Sequence, residues 1–351
     1  MRGALVCVHR AQPFSPSPAH DMKHPEPYAP YPRLVADIGG TNARFGWIAS
    51  APPPGEEPSI TDVDTLPTAD HAQLADAVRA YLARLGRGAP GSMAFGIANP
   101  ITGDDVRMTN HHWSFSISAL QAELGLERLV VINDFTALAL ALPSLKPHEL
   151  RQLGGEAALA QGPIALLGAG TGLGVSGLLH SGQGWMALSG EGGHVTLAAA
   201  DDREAAVLAV MRQRHGHVSA ERALSGSGLV NLYEAVSEVR QATSARLSPA
   251  DVTRQALDGS DAACVEALQH FCAFLGNVAG NLALTLGSTG GVYLGGGIVP
   301  RLGDFFDRSA FRERFESKGR FKGYLTRIPV FVIDASVSPA LAGAARALGE
   351  D

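Results

Sequence analysis

Short apolar runs closed by glycines, alternating with stretches of 3.6-residue periodicity, organise this chain. Residues 33–38 form an apolar run that ends in Gly39-Gly40-Thr41-Asn42, and a second run, 43–49, follows at once. That pattern predicts strand, glycine turn, strand. Residues 71–85 carry Leu74, Val78 and Leu82 at helical spacing. Buried strands are expected at 93–98 and 129–132, a short helix at 117–124, and a further helix at 135–142, ending at Pro143. The opening pattern then recurs: 164–167 runs into Gly168-Ala169-Gly170-Thr171-Gly172-Leu173-Gly174, and 175–179 leads away. Helices follow at 202–214, 229–240 and 261–286. A strand at 292–294 enters a third glycine turn, Gly295-Gly296-Gly297; a late strand at 328–333 precedes a final helix capped by Ser338.

Two strand–turn–strand units about one domain apart predict an α/β protein with duplicated lobes facing one another. The expected lobes are 33–144, joined by 335–351 as the last helix returns, and 145–334, the larger and richer in helices. Residues 1–32 read differently. They hold seven prolines and no periodic apolar pattern, so a disordered extension is expected. Translation from Met22 is one explanation for it.

Composition narrows the function classes. The 351 residues are 46% hydrophobic and 18% charged, with a net charge of −6. No apolar run approaches the ~18 residues of a membrane span, and mild acidity argues against a nucleic-acid partner. Three cysteines, Cys7, Cys264 and Cys272, make no disulfide framework or CxxC pair, which suits a reducing cytoplasm. Cys264 and Cys272 are expected in the core, and the basic run 312–322 on a solvated helix face.

The glycine turns are the first candidate site. Glycines let a backbone approach a phosphate closely, and amides with the Thr41 or Thr171 hydroxyl donate to anionic oxygens. Asp37, beside the first turn, would repel a phosphate unless a cation lay between, so it is the candidate Mg²⁺ partner, through water. No Walker spacing occurs, and hairpin turns needing positive φ remain the alternative. Asn133-Asp134 ends a buried strand where ligands of α/β sheets bind; Asp134 there suits a base for an attacking hydroxyl, or an ordinary helix cap. Glu191-Gly192-Gly193-His194 and Glu221 suit a polyhydroxyl ligand, with a metal site or a surface loop as alternatives.

Taken together, Asp37-Ile38-Gly39-Gly40-Thr41-Asn42-Ala43-Arg44, Ile132-Asn133-Asp134-Phe135-Thr136-Ala137, Gly170-Thr171-Gly172-Leu173-Gly174, Gly190-Glu191-Gly192-Gly193-His194 and the segment Ser219-Ala220-Glu221-Arg222-Ala223-Leu224-Ser225-Gly226 resemble bacterial glucokinase, in that family's order from Leu34 to the C-terminus. The resemblance implies the actin-like (ribonuclease-H-like) two-lobed ATPase fold with an interlobe cleft, and phosphorylation of glucose at its 6-hydroxyl with ATP and Mg²⁺. It implies glucose contacts from Asn133, Asp134, Glu191, His194 and Glu221, with Asp134 as base. The ATP segments it implies are Ala36, Asp37, Ile38, Gly39, Gly40 and Thr41; Gly170, Thr171 and Gly172; and Gly295 and Gly296. It also implies a cytoplasmic homodimer. The clustered zinc cysteines of a sister group of sugar kinases and repressors are missing. Kinases for other hexoses (fructose, mannose, an N-acetylated amino sugar) and a non-catalytic sugar sensor remain alternatives. The sensor lacks a helix-turn-helix ahead of the ordered region.

Overall fold

The computed structural model of the chain describes residues 29–53, 56–108, 111–182, 184–334 and 339–349. Its first part runs β1 (Arg33–Ile38), β2 (Asn42–Ile48), β3 (Thr61–Pro67), α1 (Leu74–Leu85), β4 (Ser92–Ile97), β5 (Asp105–Arg107), β6 (Ser114–Ser116), α2 (Ile117–Leu124), β7 (Arg128–Asn133) and α3 (Asp134–Ala141). Five strands form one sheet in the order β3-β2-β1-β4-β7, and β5 pairs with β6 apart from it. Strands β1, β4 and β7 are parallel, so their carboxyl ends share one edge.

The second part runs β8 (Leu150–Gln152), β9 (Ile164–Ala169), β10 (Leu173–His180), β11 (Trp185–Gly190), α4 (Asp202–His215), α5 (Gly226–Val239), α6 (Pro249–Asp258), α7 (Ala262–Leu286) and β12 (Val292–Gly295). It continues through α8 (Val299–Leu302), α9 (Asp304–Asp307), α10 (Phe311–Glu316), α11 (Lys322–Leu325) and β13 (Val330–Ile333) to α12 (Ala340–Ala347). The second sheet has the order β11-β10-β9-β12-β13-β8. Its first five strands repeat the first sheet's arrangement: an antiparallel meander followed by two parallel strands. The recurrence of strand–glycine turn–strand in the sequence is this repeat.

Alternation along the strands assigns the layers. In the first sheet Leu34, Ala36, Ile38, Met93 and Phe95 pack with α1, while Val35 and Ala94 face α12. In the second, Ala165, Leu167, Val175, Leu294 and Val332 join the core with helices α4 to α7, and Ile164, Leu166, Leu178 and Tyr293 face α3. So α3 lies between the sheets, in contact with both. It also meets α12 backbone to backbone, since a Cβ on Gly343 would come within 1.6 Å of the Ala137 carbonyl oxygen. The 25-residue α7 is apolar nearly all round and buried accordingly.

Two expectations change. Residues 1–28 and Ser338 lie outside the described residues, but 29–32 are not loose. Ala29 is buried against Leu341 and Leu348, and Ser92 donates to the Pro30 carbonyl at 2.8 Å. The buried Arg33 guanidinium donates to the carbonyls of Ala29 and Gly349. The ordered chain therefore begins before residue 33, because closing this end of the core needs those contacts. The basic run 312–322 is a solvated face only in part: Arg320 and Lys322 are exposed, but Arg312 is not. Arg312 donates to the carbonyls of Leu153, Leu325, Thr326 and Ile328 and to Glu316, filling its planar fork with acceptors from three segments. Cys264 and Cys272 are buried as expected, and burial pushes both thiols up to about 12. Among the described residues no helix is long and apolar enough to cross a membrane.

Candidate active site

The carboxyl edge of the first sheet carries the two acids. Asp37 pairs in register with Gly96 of β4, and Gly96 with Ile132 of β7, so Asp37 and the β7–α3 junction flank one glycine. A Cβ on Gly96 would lie 3.4 Å from the Asp134 Cα and 3.0 Å from the Ala137 Cβ. The bare glycine lets α3 sit directly on the sheet. Asn133 is the N-cap: its Oδ1 accepts from the amides of Phe135 at 2.9 Å and Thr136 at 3.3 Å. Asp134 is then the first helical residue, with Oδ1 accepting from Phe135 N–H at 2.9 Å. The cap alternative thus belongs to Asn133, leaving the half-buried Asp134 carboxyl with a further oxygen for chemistry. Burial, reinforced by the charge of Asp37, pushes Asp134 up to about 6 against the pull of the Phe135 amide.

The first glycine turn is fixed by a residue that its own sequence gives no reason to notice. Thr68, fully buried after β3, donates its hydroxyl to the Gly40 carbonyl at 2.9 Å and its amide to the Thr41 carbonyl at 3.0 Å. The Gly39 amide closes the turn onto the Asn42 carbonyl at 2.9 Å, so with both carbonyls held from behind it is the amides of Gly40 and Thr41 that are left for an anion. Ala36 and Ile38 are fully buried core residues beneath α1, so Asp37, Gly39, Gly40 and Thr41 are the parts of this segment open to a ligand.

The second turn is held from the helix side. Gly226, at the start of α5, donates to the Gly170 carbonyl at 2.8 Å, and Gly170 N–H bonds the Gly172 carbonyl at 2.9 Å. Glu221 Oε2 accepts from the Leu173 amide at 2.9 Å. Thr171 is exposed at the tip. The third turn packs on the second: Gly296 has φ +80, and a Cβ there would lie 2.4 Å from the Ala169 carbonyl oxygen. Gly295 has its own packing reason, because a Cβ would come within 3.0 Å of Leu138 in α3.

Glu191 and His194 lie 4.0 Å apart with side chains 59% and 61% exposed. Their loop rests on the second turn, since a Cβ on Gly193 would lie 2.1 Å from the Leu173 carbonyl oxygen. The Glu221 amide donates to the Gly193 carbonyl at 2.9 Å. Glu191, His194 and Glu221 therefore gather around Leu173. Thr136 of α3 and Ser189 of β11 share a hydroxyl hydrogen bond of 3.1 Å, which brings the Asn133-Asp134 end of α3 beside the strand that leads into Glu191. Among the described residues no three His, Cys, Asp or Glu side chains converge as a cation cage. The donor set fits a cation held by nucleotide phosphates with one carboxylate, and Asp37 carries a charge that Asp134 already senses.

A family model described as "Glucokinase" matches residues 34–351. Glucokinase of Aromatoleum aromaticum is 59% identical over 319 residues, 91% of this chain and 95% of that protein. The crystal structure of a glucokinase from an Antarctic psychrotroph superposes with a TM-score of 0.84 at 38% identity, covering 91% of this chain and 99% of that one. A ROK family glucokinase from Streptomyces griseus, solved with glucose and AMPPNP, shares the fold at a TM-score of 0.55 and 18% identity, over 90% of this chain and 98% of that one. The two-sheet architecture is the actin-like ATPase fold of these sugar kinases. The chain belongs to the glucokinase family.

Proposed function

We propose that Asp134 is the general base of an ATP-dependent phosphorylation of glucose, the reaction that membership of the glucokinase family gives this chain. One observation carries the assignment. Asp134 is a half-buried carboxyl, raised to about 6, on the first turn of the helix that joins both sheets, with a glycine turn of each sheet nearby. A base of that strength is ionised at neutral pH yet still a useful proton acceptor.

In the mechanism, Asn133 holds α3 in place while Asp134 orients the 6-hydroxyl of the sugar and takes its proton as the oxygen attacks the terminal phosphorus of ATP. The bond to the bridging oxygen breaks and ADP leaves. Glu191, His194 and Glu221 contact the other sugar hydroxyls; their mix of acceptors and donors matches a polyol and disfavours analogues lacking a hydroxyl. The amides of Gly40 and Thr41, and of Thr171 and Gly172, receive the phosphates, while those of Gly39 and Gly170 close their own turns onto the Asn42 and Gly172 carbonyls, with Gly295 and Gly296 beneath the nucleoside. Asp37 is the residue that would hold a Mg²⁺ ion, through water, and the ion when bound would supply charge neutralisation at the phosphoryl oxygens. The nucleotide reading is supported by the AMPPNP complex of the Streptomyces relative.

The lobes proposed are 33–144 with 335–351, the first now extended back to Ala29 by its core contacts, and 145–334; a cytoplasmic homodimer completes the picture. A coupled ADP-release assay across glucose, fructose, mannose and N-acetylated amino sugars, with ATP and polyphosphate as donors, tests the substrate. Turnover confined to another hexose, or none with any sugar, overturns it. Sedimentation of the purified protein tests the dimer.

A further inference from the structure

Three glycines stand side by side across the second sheet: Gly174 of β10 pairs with Gly168 of β9, and Gly168 with Gly295 of β12. All three point the same way, toward α3. Cβ atoms built on Gly174 and Gly168 would lie 2.2 and 2.3 Å from the Phe135 ring, and one on Gly295 would lie 3.0 Å from Leu138. The row is a side-chain-free floor with the first turn of α3 resting on it. On the opposite side the same turn rests on Gly96, where a Cβ would sit only 3.0 Å from that of Ala137. Glycine weakens a strand interior, so four at these contacts mark close approach of another element.

Phe135 directly follows Asp134. Gly168 and Gly174 lie one residue outside the turn Gly170-Thr171-Gly172 on either side, across Ala169 and Leu173. We propose that Phe135 is a positioning residue for the phosphoryl transfer: its ring, seated on the Gly168–Gly174 pair, fixes the distance between the Asp134 carboxyl and the phosphate turn of the second sheet. The proposal rests on the reading of Asp134 as base. The ring touches neither reacting group. It transmits position because an aromatic ring against bare backbone has no rotamer slack on either side, whereas a side chain at Gly168 or Gly174 would displace it by more than an ångström.

The test is a double-mutant cycle on the full chain, with Asp134→Asn as control. Phe135→Leu leaves a gap on the glycine pair, and Gly174→Ala fills part of it. Each single variant is expected to lower kcat by about 10- to 100-fold, the scale of small misplacements of reacting groups, with KM for glucose changed by less than about threefold, the span separating an orientation effect from lost binding. The combined Phe135→Leu/Gly174→Ala variant, in which the smaller side chain meets the added methyl, is expected to regain at least about fivefold in kcat over the weaker single variant, a non-additivity of neighbours in contact. Rates are normalised to the folded fraction from circular dichroism, so lost stability alone does not register. Single variants with kcat within twofold of the parent, or a combined loss equal to the product of the single losses, overturn the proposal while Asp134→Asn keeps its loss of about 10²–10⁴ in kcat. If Asp134→Asn keeps its turnover, the base assignment itself falls.

Discussion

Glu221 accepts a hydrogen bond from the Leu173 amide at 2.9 Å, so a residue assigned to the sugar also holds the turn assigned to the nucleotide. Gly172 is bare beside it; a Cβ there would lie 2.5 Å from the same carboxylate oxygen. Glu221→Ala should therefore raise KM for ATP as well as for glucose. A lost charge-assisted bond is worth about 1.5–3 kcal/mol, roughly 10- to 100-fold in kcat/KM. Glu221→Gln, which keeps an oxygen for Leu173, should spare the nucleotide side. Steady-state kinetics with each substrate varied decide this; an effect on glucose alone would separate the two roles.

Replacing Asp134 by Asn should lower kcat by about 10²–10⁴, the usual scale of general-base loss, and should stabilise the fold near neutral pH. The carboxyl is raised in the folded chain, to about 6. The folded state thus holds this proton up to a higher pH than the unfolded state does. The stability linked to it is fully present below the unfolded value near ~3.9 and is lost as pH rises through about 6. At pH 7.5 the ionised, half-buried carboxylate destabilises the parent, by an upper bound of about 3 kcal/mol. Thermal melts of the two proteins should differ at pH 7.5 and converge below about pH 4.

Turnover should follow the same group. With glucose well below saturation, kcat/KM should fall about tenfold per unit below the acid limb near pH 6 and level off above it, because kcat/KM follows the ionisation of the free enzyme. Replacing Asp37 by Asn removes the neighbouring charge and should move that limb to lower pH. An unmoved limb would assign it to another group.

The crossing of α3 and α12 admits no side chain at Gly343, which faces the Ala137 carbonyl. Gly343→Ala forces the helices apart and should cost about 1–3 kcal/mol or more. Because α3 carries Asp134, turnover should fall with it. Urea unfolding and kcat measured together check this; a stable, fully active variant would mean that the crossing tolerates separation.

Arg312 holds four carbonyls and Glu316. Arg312→Lys keeps the charge but loses the fork, and should destabilise by about 1–3 kcal/mol, the cost of leaving buried acceptors unpaired. Its kcat should stay near that of the parent, since these contacts lie among β8, α10, α11 and the segment before β13.

Much of this molecule was legible because its buried strands are short apolar runs, ending in glycine turns at β1, β9 and β12, with Asn99 just after β4 and Asn133 at the end of β7. Strands β1, β4, β7, β9, β10 and β12 and helices α2, α3, α4 and α7 follow from that pattern and from helical spacing. The antiparallel edge strands β3, β8 and β11 were not legible. In β3 only Leu66 is buried, and β11 is half exposed, so neither shows the alternation that marks a strand. Helix α6 did carry a signal, Ser248 before Pro249 with Asp251 completing a capping box, which apolar periodicity alone passes over. At the site, the acids and glycine turns stood out by residue type. Thr68 did not, because a threonine that fixes a turn 27 residues earlier looks like any other. Phe135 was hidden differently. It read as one apolar position of a helix, and glycines 168 and 174 as part of a ligand turn, when their lack of Cβ also makes room for that ring.

The central claim is that Asp134 meets the alcohol that receives the phosphate. A crystal structure of the protein with glucose and AMPPNP tests it most directly. The account predicts a carboxyl oxygen of Asp134 about 2.6–3.2 Å from the sugar O6, with O6 facing the terminal phosphorus. A sugar whose O6 points elsewhere, with another side chain in that position, would contradict it.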